Sequence, residues 1–188
     1  LHLDNGGKNE LYREWFDNWF SNQGEDFEYI GLSYYPFWHG DLNGLRENMN
    51  DIAVRYGKKL IVAEVSMGFS LEDYGRYEGL PEGQRCGMAT KPELCEKVGY
   101  EMTPEGQAAF MRDFLAVLRQ VPEEKGCGFY YWEPCWLPVP GSGWATDASL
   151  AYMSEPPEKH KDNEWANQAL FDYEGNALPA LTVIKEYQ

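Results

Sequence analysis

The sequence predicts an α/β protein of the (β/α)8-barrel (TIM-barrel) type, with this chain covering roughly the second half of the barrel. Predicted strands and helices alternate along the 188 residues. The strands are nearly continuous apolar runs, which are typical of a parallel sheet covered by helices. Long loops follow strands and not helices, as in barrels whose functional site lies at the carboxyl ends of the strands. A doubly wound sheet is the alternative, but no glycine-rich phosphate-binding motif follows any strand.

The first half of the chain contains two strand–helix units. The opening LHLDNGG is the tail of a strand that enters a glycine turn, and apolar residues at helical spacing predict a helix from Glu10 to Phe20. The next strand lies in FEYIGLSYYPF, which is rich in aromatic residues and is closed by Pro36. The helix LNGLRENMNDIAVRYGK follows and ends at Gly57.

The second half of the chain continues the alternation. KLIVAEVS is the third strand, and a long loop follows it from Met67 to Met102. In the helix TPEGQAAFMRDFLAVLRQVP, Thr103 is the cap, Pro104 takes the first helical position and Pro122 ends the helix. The fourth strand is GCGFYYWEP, and a second long loop, residues 138–167, leads to the short terminal helix LTVIKEYQ.

The number of units leaves the predicted sheet open. A closed barrel needs eight βα units and typically ~250 residues, whereas this chain offers about four units. The first strand is a stub at Leu1, so we expect the strand near Tyr29 to Tyr35 to be an exposed edge. The apolar stretch from Phe129 to Trp132 forms the other edge. We expect a missing amino-terminal half, or a second copy of the chain, to cover these edges.

The composition excludes some classes of partner. The chain has 31 Asp and Glu against 16 Lys and Arg, a net charge of −15, which argues against nucleic acids and anionic membrane surfaces. No apolar run is long enough to span a bilayer. Aromatic residues make up 15% of the chain, and an acidic, aromatic-rich protein suits a neutral carbohydrate substrate.

The stretch LIVAEVSM places Glu64 at the end of an otherwise apolar strand. Active-site residues of (β/α) barrels lie at this end, and a partly desolvated carboxylate there can attack an anomeric carbon or carry a proton. A structural ion pair or a hydrogen-bonded core acid is the alternative. Glu133 ends the last strand in YYWEP, but Pro134 redirects the chain there, so we interpret Glu133 as a loop residue.

Polar residues follow the first strand at the same end of the predicted sheet. Asp4 and Asn5 are candidates to hydrogen-bond a sugar, as is His2 on the strand itself. The alternative is that these residues form a turn beside Gly6 and Gly7.

Aromatic residues cluster at two of the predicted strand ends, where their flat surfaces could stack on pyranose rings. Trp15 and Trp19 are different, because their helical spacing indicates packing. The aromatic candidates for sugar binding are Tyr34, Tyr35 and Trp38, with Phe37 beside them, and Trp132 and Trp136 at the last strand.

Four cysteines are present, but no CxxC pair occurs, so zinc and thioredoxin-like sites are disfavoured. Cys86 and Cys95 flank the polar loop RCGMATKPELCE. They could close this loop as a disulfide or remain free thiols, since spacing alone does not decide the pairing.

Several stretches together resemble the arabinogalactan endo-β-1,4-galactanases of glycoside hydrolase family 53. They are LHLDNGG, YIGLSYYPFWHG, LIVAEVSMGFS, TPEGQAAFMRDFL, GFYYWEPCWLP and NQALFDYEGNALPAL, which cover nearly the whole chain in order. The resemblance implies a (β/α)8 barrel that cleaves β-1,4-galactan with retention of configuration. It also implies that residues 1–188 are the carboxyl-terminal half of the catalytic domain, with strands five to eight.

The resemblance also assigns the catalytic residues. Glu64 matches the family's nucleophile at the end of strand seven. The family's acid/base glutamate follows an asparagine on strand four, upstream of Leu1, so the isolated chain is expected to be inactive. Glu133 belongs to the family's WEP segment and not to the catalytic pair.

Two stretches depart from the family's pattern. Members often carry ETAY around the nucleophile, where this chain has EVSM. Some members bind calcium through a loop resembling LEDGDGHPN; here the stretch is LEDYGRYEG, in which Asp73 is kept and the later ligands are replaced. One carboxylate is too few for a cation with about 6–8 oxygen ligands, so neither calcium nor another cofactor is expected. A Cys86–Cys95 disulfide could clamp this loop instead.

Three functional hypotheses remain. The first is an endo-galactanase that degrades the galactan or arabinogalactan of pectin outside a bacterial cell or at its surface, as the resemblance implies. The second is a galactan-binding module that keeps the aromatic surface without the chemistry. The third is a retaining glycosidase of the same clan that acts on another β-glycan.

Overall fold

The computed structural model of the chain describes residues 1–72, 89–137, 146–152 and 165–187. These residues divide between two compact units. The first unit comprises Leu1–Met67, Phe110–Trp132 and Tyr187. The second comprises the described parts of Gly68–Ala109 and Glu133–Glu186.

The first unit is built on a four-stranded parallel sheet. Each strand pairs in parallel with the next, so the carboxyl ends of all four strands meet at one edge of the sheet. This arrangement confirms the four predicted strands and their parallel direction. In spatial order they are β1 (His2–Leu3), β2 (Tyr29–Tyr34), β3 (Lys59–Val65) and β4 (Gly126–Tyr131).

Three helices contribute to the first unit. They are α1 (Asn9–Ser21), α2 (Leu42–Tyr56) and the part of α4 (Pro104–Arg119) from Phe110 onward. At the start of α2, the Asp41 carboxylate accepts a hydrogen bond from the Gly44 N–H at 2.8 Å, which satisfies one of the donors left over at a helix start. The helix ends at Gly57, as predicted, because its φ of 67° suits glycine best.

One face of the sheet packs against the helices and forms the core. The ring of Tyr34 stacks on Phe110 with centroids 6.4 Å apart. The opposite face is more open, and Tyr130 on β4 is 67% exposed. The fully buried residues of the strand–helix layer include Ile30, Leu32, Tyr34, Leu60, Val62 and Val65 on the strands and Tyr12, Phe16, Leu45, Met49, Ile52, Phe110 and Phe114 on the helices.

Trp15 and Trp19 pack on the surface of α1, as their spacing predicts. Their rings are nearly parallel, with centroids 5.5 Å apart. Trp15 also meets Phe16 edge to face at 4.9 Å, and the Trp19 Nε1–H donates to the Glu25 carbonyl at 3.0 Å. These contacts assign both tryptophans to packing.

The second unit is mainly helical in its described parts. It contains α3 (Pro92–Val98), the first turns of α4, α5 (Asp147–Tyr152) and α6 (Pro179–Lys185). Thr103 caps α4 as predicted, since its Oγ1 accepts the Gly106 N–H at 3.0 Å. The buried Gln107 side chain donates to the Ala169 carbonyl at 2.9 Å.

Three predictions about the secondary structure are wrong. The stretches predicted as loops, residues 67–102 and 138–167, contain α3 and α5. The third concerns β2, which is not an edge, because the two residues of β1 pair with Gly31 and Leu32. Among the described strands, the edges are therefore β1 and β4. Throughout the described ranges, every helix is too short or too polar to cross a membrane.

We expect Asp41→Ala to lower the free energy of unfolding by about 1 kcal/mol, because the variant loses the acceptor that caps α2. Chemical denaturation measures the change. Asp41→Ser is the matched control, since serine also caps helix starts well and should restore most of the lost stability. Equal destabilisation by serine and alanine would contradict a capping role for Asp41.

Candidate active site

A β-bulge near the carboxyl end of β3 sets the direction of Glu64. Leu32 of β2 lies opposite Val62, but the next residue, Ser33, lies opposite Glu64. Ala63 is thus an extra residue in β3, and Glu64 shares the open face of the sheet with Ser33. Without the bulge, strict alternation would turn Glu64 toward the helices, as Val62 is turned.

The Glu64 carboxylate accepts a hydrogen bond from a tyrosine on the neighbouring strand end. Tyr35 directly follows β2, and its hydroxyl donates to Glu64 Oε2 at 2.7 Å. Tyr35 is 7% exposed, so its ring is held by packing while its hydroxyl reaches the half-buried carboxylate. The sequence placed Tyr35 among sugar-binding residues, and the structure gives it a direct contact with the candidate nucleophile.

A tight turn after β2 orients Tyr35. The N–H groups of Trp38 and His39 donate to the Tyr35 carbonyl at 3.1 and 2.9 Å. The Tyr34 hydroxyl donates to the Gly40 carbonyl at 2.9 Å, and Gly40 has a φ of 93°, which a glycine adopts without strain. The turn is therefore closed by hydrogen bonds at both of its ends.

The buried His39 side chain joins this turn to the loop after β1. His39 Nδ1 lies 3.1 Å from the Tyr35 nitrogen, and Nε2 lies 3.4 Å from Asp4 Oδ1. Gly7 lets the loop after β1 pack against the His39 backbone, because a Cβ at this position would lie 2.0 Å from the His39 carbonyl oxygen. Between Asp4 and Gly7 the chain turns at Asn5, which has a φ of 59°. The Asn5 side-chain amide donates to Asp4 Oδ2 at 3.3 Å.

Burial lowers the pKa of His39 below its usual value of 6.5, because desolvation disfavours the charged imidazolium. The carboxylates of Asp4 and Glu64 and the Ser33 carbonyl act in the opposite direction, and Lys8 lowers the pKa further. The net direction is downward, so His39 is neutral at pH 7.

Two of the predicted aromatic residues lie exposed near the same strand ends. Trp38 is 41% exposed and meets Tyr35 edge to face at 5.9 Å. Trp132, which follows β4, is 37% exposed, and its N–H donates to the Val65 carbonyl at 2.9 Å. Trp38 therefore offers indole surface next to Tyr35, and Trp132 offers it from a backbone position bonded to the end of β3.

Tyr34 differs from the prediction that it lines a sugar-binding surface. Its side chain is fully buried on the helix-covered face, and its hydroxyl is bonded to Gly40. The strand alternation explains the difference, since adjacent residues of a strand point to opposite faces. Tyr35 therefore faces Glu64, and Tyr34 packs in the core.

A family model described as "Glycosyl hydrolase family 53" matches residues 1–184. The chain belongs to this family. It is 34% identical over 176 residues to the endo-beta-1,4-galactanase of Bacillus subtilis (strain 168), a match that covers 85% of this chain and 38% of that protein.

Solved structures of two glycoside hydrolases match the fold. The "Ignisphaera aggregans GH53 catalytic domain" is 35% identical, with a TM-score of 0.79 over 98% of this chain and 45% of that chain. A thermostable mutant of the xylanase Xyn10A from Cellvibrio japonicus is 15% identical, with a TM-score of 0.56 over 99% of this chain and 48% of that chain. The xylanase shows the fold alone. These neighbours are (β/α)8-barrel enzymes, and the family 53 chain spans less than half of their length.

The remaining candidate residues of the family 53 chain lie in the second unit or outside the described residues. Trp136 and Glu133 belong to the second unit, so the role predicted for Trp136 stays a prediction. Asp73 and Cys86 lie outside the described residues, as does the side chain of Cys95, so the calcium and disulfide predictions stay untested. Within the part of the chain that is described, no group of three or more His, Cys, Asp or Glu could hold a metal ion.

The sequence reasoning missed His39 and the bulge at Ala63. His39 stands in the stretch YYPFWHG, in the turn between β2, which ends at Tyr34, and the helix cap Asp41. A histidine between an aromatic run and a glycine is a signal that could have drawn attention to it. The bulge left no such signal, because Ala63 continues an apolar run.

We expect the free energy of unfolding of the wild type to fall more between pH 7 and pH 5 than that of His39→Asn. An unfolded histidine takes up a proton as the pH falls through 6.5, whereas the buried His39 takes it up only at its lower folded pKa. This contribution is therefore complete above the unfolded pKa and is lost as the pH falls through the folded pKa. Denaturant titrations of both proteins at the two pH values measure it, and carboxylates common to both cancel in the comparison. Equal losses would contradict the lowered pKa.

Proposed function

We propose that the chain is the carboxyl-terminal half of a retaining endo-β-1,4-galactanase in which Glu64 is the nucleophile. The observation that carries the proposal is the Glu64 carboxylate, turned to the open face at the carboxyl end of β3 and bonded to the Tyr35 hydroxyl at 2.7 Å. Active sites of barrel enzymes lie at this end of the strands. Membership of family 53 and the galactanase name of the Bacillus subtilis relative support the reaction and its substrate.

The proposed reaction proceeds in two displacements. An oxygen of Glu64 forms a bond to the anomeric carbon of a galactosyl residue, while the bond from that carbon to the glycosidic oxygen breaks and a general acid protonates the leaving oxygen. Water then attacks the same carbon, the general base takes the water's proton, and Glu64 leaves as a carboxylate. Since Tyr35 donates to Oε2, we assign the attack to Oε1.

The second carboxylate of the pair is assigned to a segment outside this chain. A retaining pair has its carboxyl groups about 5–5.5 Å apart. Asp4 is a carboxylate at the end of β1, two strands away from β3 in the same sheet. It lies against His39 and Asn5, so we assign it to positioning and sugar contact. An amino-terminal half on the β1 side would supply the acid/base glutamate. A second copy of the chain could cover the sheet edges instead, but it would not supply this residue, because it lacks the same segment.

The exposed aromatic side chains support the proposed partner and substrate. Tyr130 is 67% exposed on the open face of an edge strand, and a further set of strands would cover it. Trp38 and Trp132 offer surfaces for galactosyl rings beside Glu64, with Asp4 and Asn5 as hydrogen-bonding groups. Trp136 is proposed as a further stacking residue.

A galactan chain is too large and polar to cross a membrane. An enzyme whose substrate is the uncleaved polymer therefore acts outside the cell.

Glu64→Gln in the full-length protein should lower kcat on β-1,4-galactan by about ten-thousandfold or more, because the amide keeps the shape but cannot form the glycosyl-enzyme. Galactan binding should persist, as measured by calorimetry. Glu47→Gln is the matched control, since it makes the same change on the exposed face of α2 and should keep full activity.

Near-normal turnover by Glu64→Gln would remove Glu64 from the role of nucleophile. Binding of galactan without turnover by the wild type would favour the binding-module hypothesis. Faster release of reducing ends from xylan or mannan than from galactan would favour a glycosidase of another specificity.

Trp132→Ala should lower kcat/KM on galactan by about tenfold, equivalent to about 1.4 kcal/mol, because the exposed indole at the end of β4 is lost. Trp132→Phe keeps part of that surface and should lie between the wild type and alanine. Thermal unfolding of both variants separates binding from packing. If Trp132→Ala destabilises the protein without a separable kinetic effect, the packing interpretation is correct.

A further inference from the structure

His39 is a buried polar residue whose two ring nitrogens face different strand ends. It is 5% exposed, and a polar group so buried costs free energy unless it is hydrogen-bonded. Nδ1 lies 3.1 Å from the Tyr35 nitrogen and 3.2 Å from the Ser33 oxygen. Nε2 lies 3.4 Å from an oxygen of Asp4.

The neighbours of His39 select one tautomer of its neutral ring. The Ser33 carbonyl already accepts the Gly6 N–H at 2.9 Å, whereas the Tyr35 N–H finds its acceptor at Nδ1. If Nδ1 carried the proton, it would oppose the Tyr35 N–H, and a lone pair on Nε2 would face the Asp4 carboxylate. With the proton on Nε2, both contacts become attractive.

We propose that His39 is a positioning residue. Its Nδ1 accepts the Tyr35 N–H and so keeps the Tyr35 hydroxyl in hydrogen-bond contact with Glu64. Asp4 keeps the ring proton on Nε2. The role rests on the proposed function, because Glu64 is its target. The resulting chain of contacts runs from Asp4 at the end of β1, through His39 and Tyr35 after β2, to Glu64 on β3. It links three adjacent strand ends on one sheet.

The position of the Tyr35 hydroxyl depends on this turn because no regular strand holds Tyr35. β2 ends at Tyr34, so the Tyr35 N–H falls outside the sheet and must find its acceptor elsewhere. His39 supplies it four residues later, and the Tyr35 and His39 rings meet edge to face at 5.5 Å. Loss of the acceptor would release the Tyr35 backbone, and the hydroxyl would leave its 2.7 Å contact with Glu64.

Two substitutions of His39 separate its two nitrogens. Asparagine reaches the place of Nδ1 and glutamine the place of Nε2, so His39→Asn keeps an acceptor for Tyr35 and His39→Gln keeps a donor for Asp4. In the full-length enzyme, kcat on β-1,4-galactan should fall about tenfold in His39→Gln and about twofold in His39→Asn, with KM little changed. Equal losses in the two variants, or a loss confined to KM, would overturn the proposal.

A double-mutant cycle with Tyr35→Phe tests whether His39 acts through the Tyr35 hydroxyl. Tyr35→Phe should lower kcat by about ten- to a hundredfold, because a hydrogen bond to a charged group is lost. Adding His39→Gln to Tyr35→Phe should then have less than about a twofold further effect, since the hydroxyl is already absent. Fully multiplicative losses would mean that His39 supports the fold in general, and would overturn the positioning role.

Nitrogen NMR of the His39 ring in the unsubstituted full-length protein provides a test that needs no substrate and no variant that could misfold. At neutral pH, the ¹⁵N shifts should report the Nε2–H tautomer, and Asp4→Asn should increase the Nδ1–H population. A dominant Nδ1–H tautomer in the wild type would overturn the proposal even if galactan is cleaved. The Nε2–H tautomer in a protein that cleaves no galactan would support the His39 contacts while rejecting the proposed function.

Discussion

The extra residue in β3 determines what the carboxyl end of the sheet can do. A strand turns successive side chains to opposite faces, so the residue two places beyond Val62 should point to the helices. The pairing of β3 with each of its neighbouring strands shows that the extra residue interrupts this alternation. Leu32 and Ser33 of β2 are consecutive but lie opposite Val62 and Glu64, and on the β4 side Val62 and Val65 lie opposite residues only two apart, Phe129 and Tyr131.

Because of this bulge, Glu64 and Val65 point to opposite faces of the sheet and have different roles. Val65, one residue beyond Glu64, returns to the helix-covered face and is fully buried, so the core continues past the bulge. Glu64 reaches the open face, where it meets the Tyr35 hydroxyl instead of an apolar layer in which a carboxylate would be costly. Bulges beside active sites re-aim side chains in this way. The same stretch of chain therefore serves both the core and the candidate site.

Much of the fold followed from the sequence because its signals are local. Thr103 and Gly57 mark helix ends by side-chain capping and by backbone conformation, and both act where they were predicted. The helices α3 and α5 were missed because they are only seven and six residues long. Two turns or fewer are too short to show a hydrophobic period of about 3.6 residues, and the proline, glycine and charged residues around these two helices favoured a loop. The β1–β2 pairing was missed because a two-residue strand has no detectable alternation.

The sequence names candidates for the site, but it does not reveal their contacts. A carboxylate at the end of an apolar strand is visible in the sequence, and so are the aromatic residues around it. Which of Tyr34 and Tyr35 faces the carboxylate depends on the phase of β2, and which face Glu64 takes depends on Ala63. Both are properties of strand pairing between residues about 30 positions apart, so a single strand's composition cannot reveal them.

The contacts of Glu64 show how one sheet can orient a carboxylate with its own residues. A carboxylate whose charge matters to the reaction needs hydrogen-bond donors that are fixed before substrate binds. Here Tyr35 supplies the donor, the turn ending at Gly40 fixes Tyr35, and the loop through Gly7 and Asp4 packs on that turn. Every one of these groups lies in the first unit. If the acid/base residue comes from another segment, as we propose, the nucleophile can still be oriented by its own sheet, and the two carboxylates need to meet only when the barrel closes.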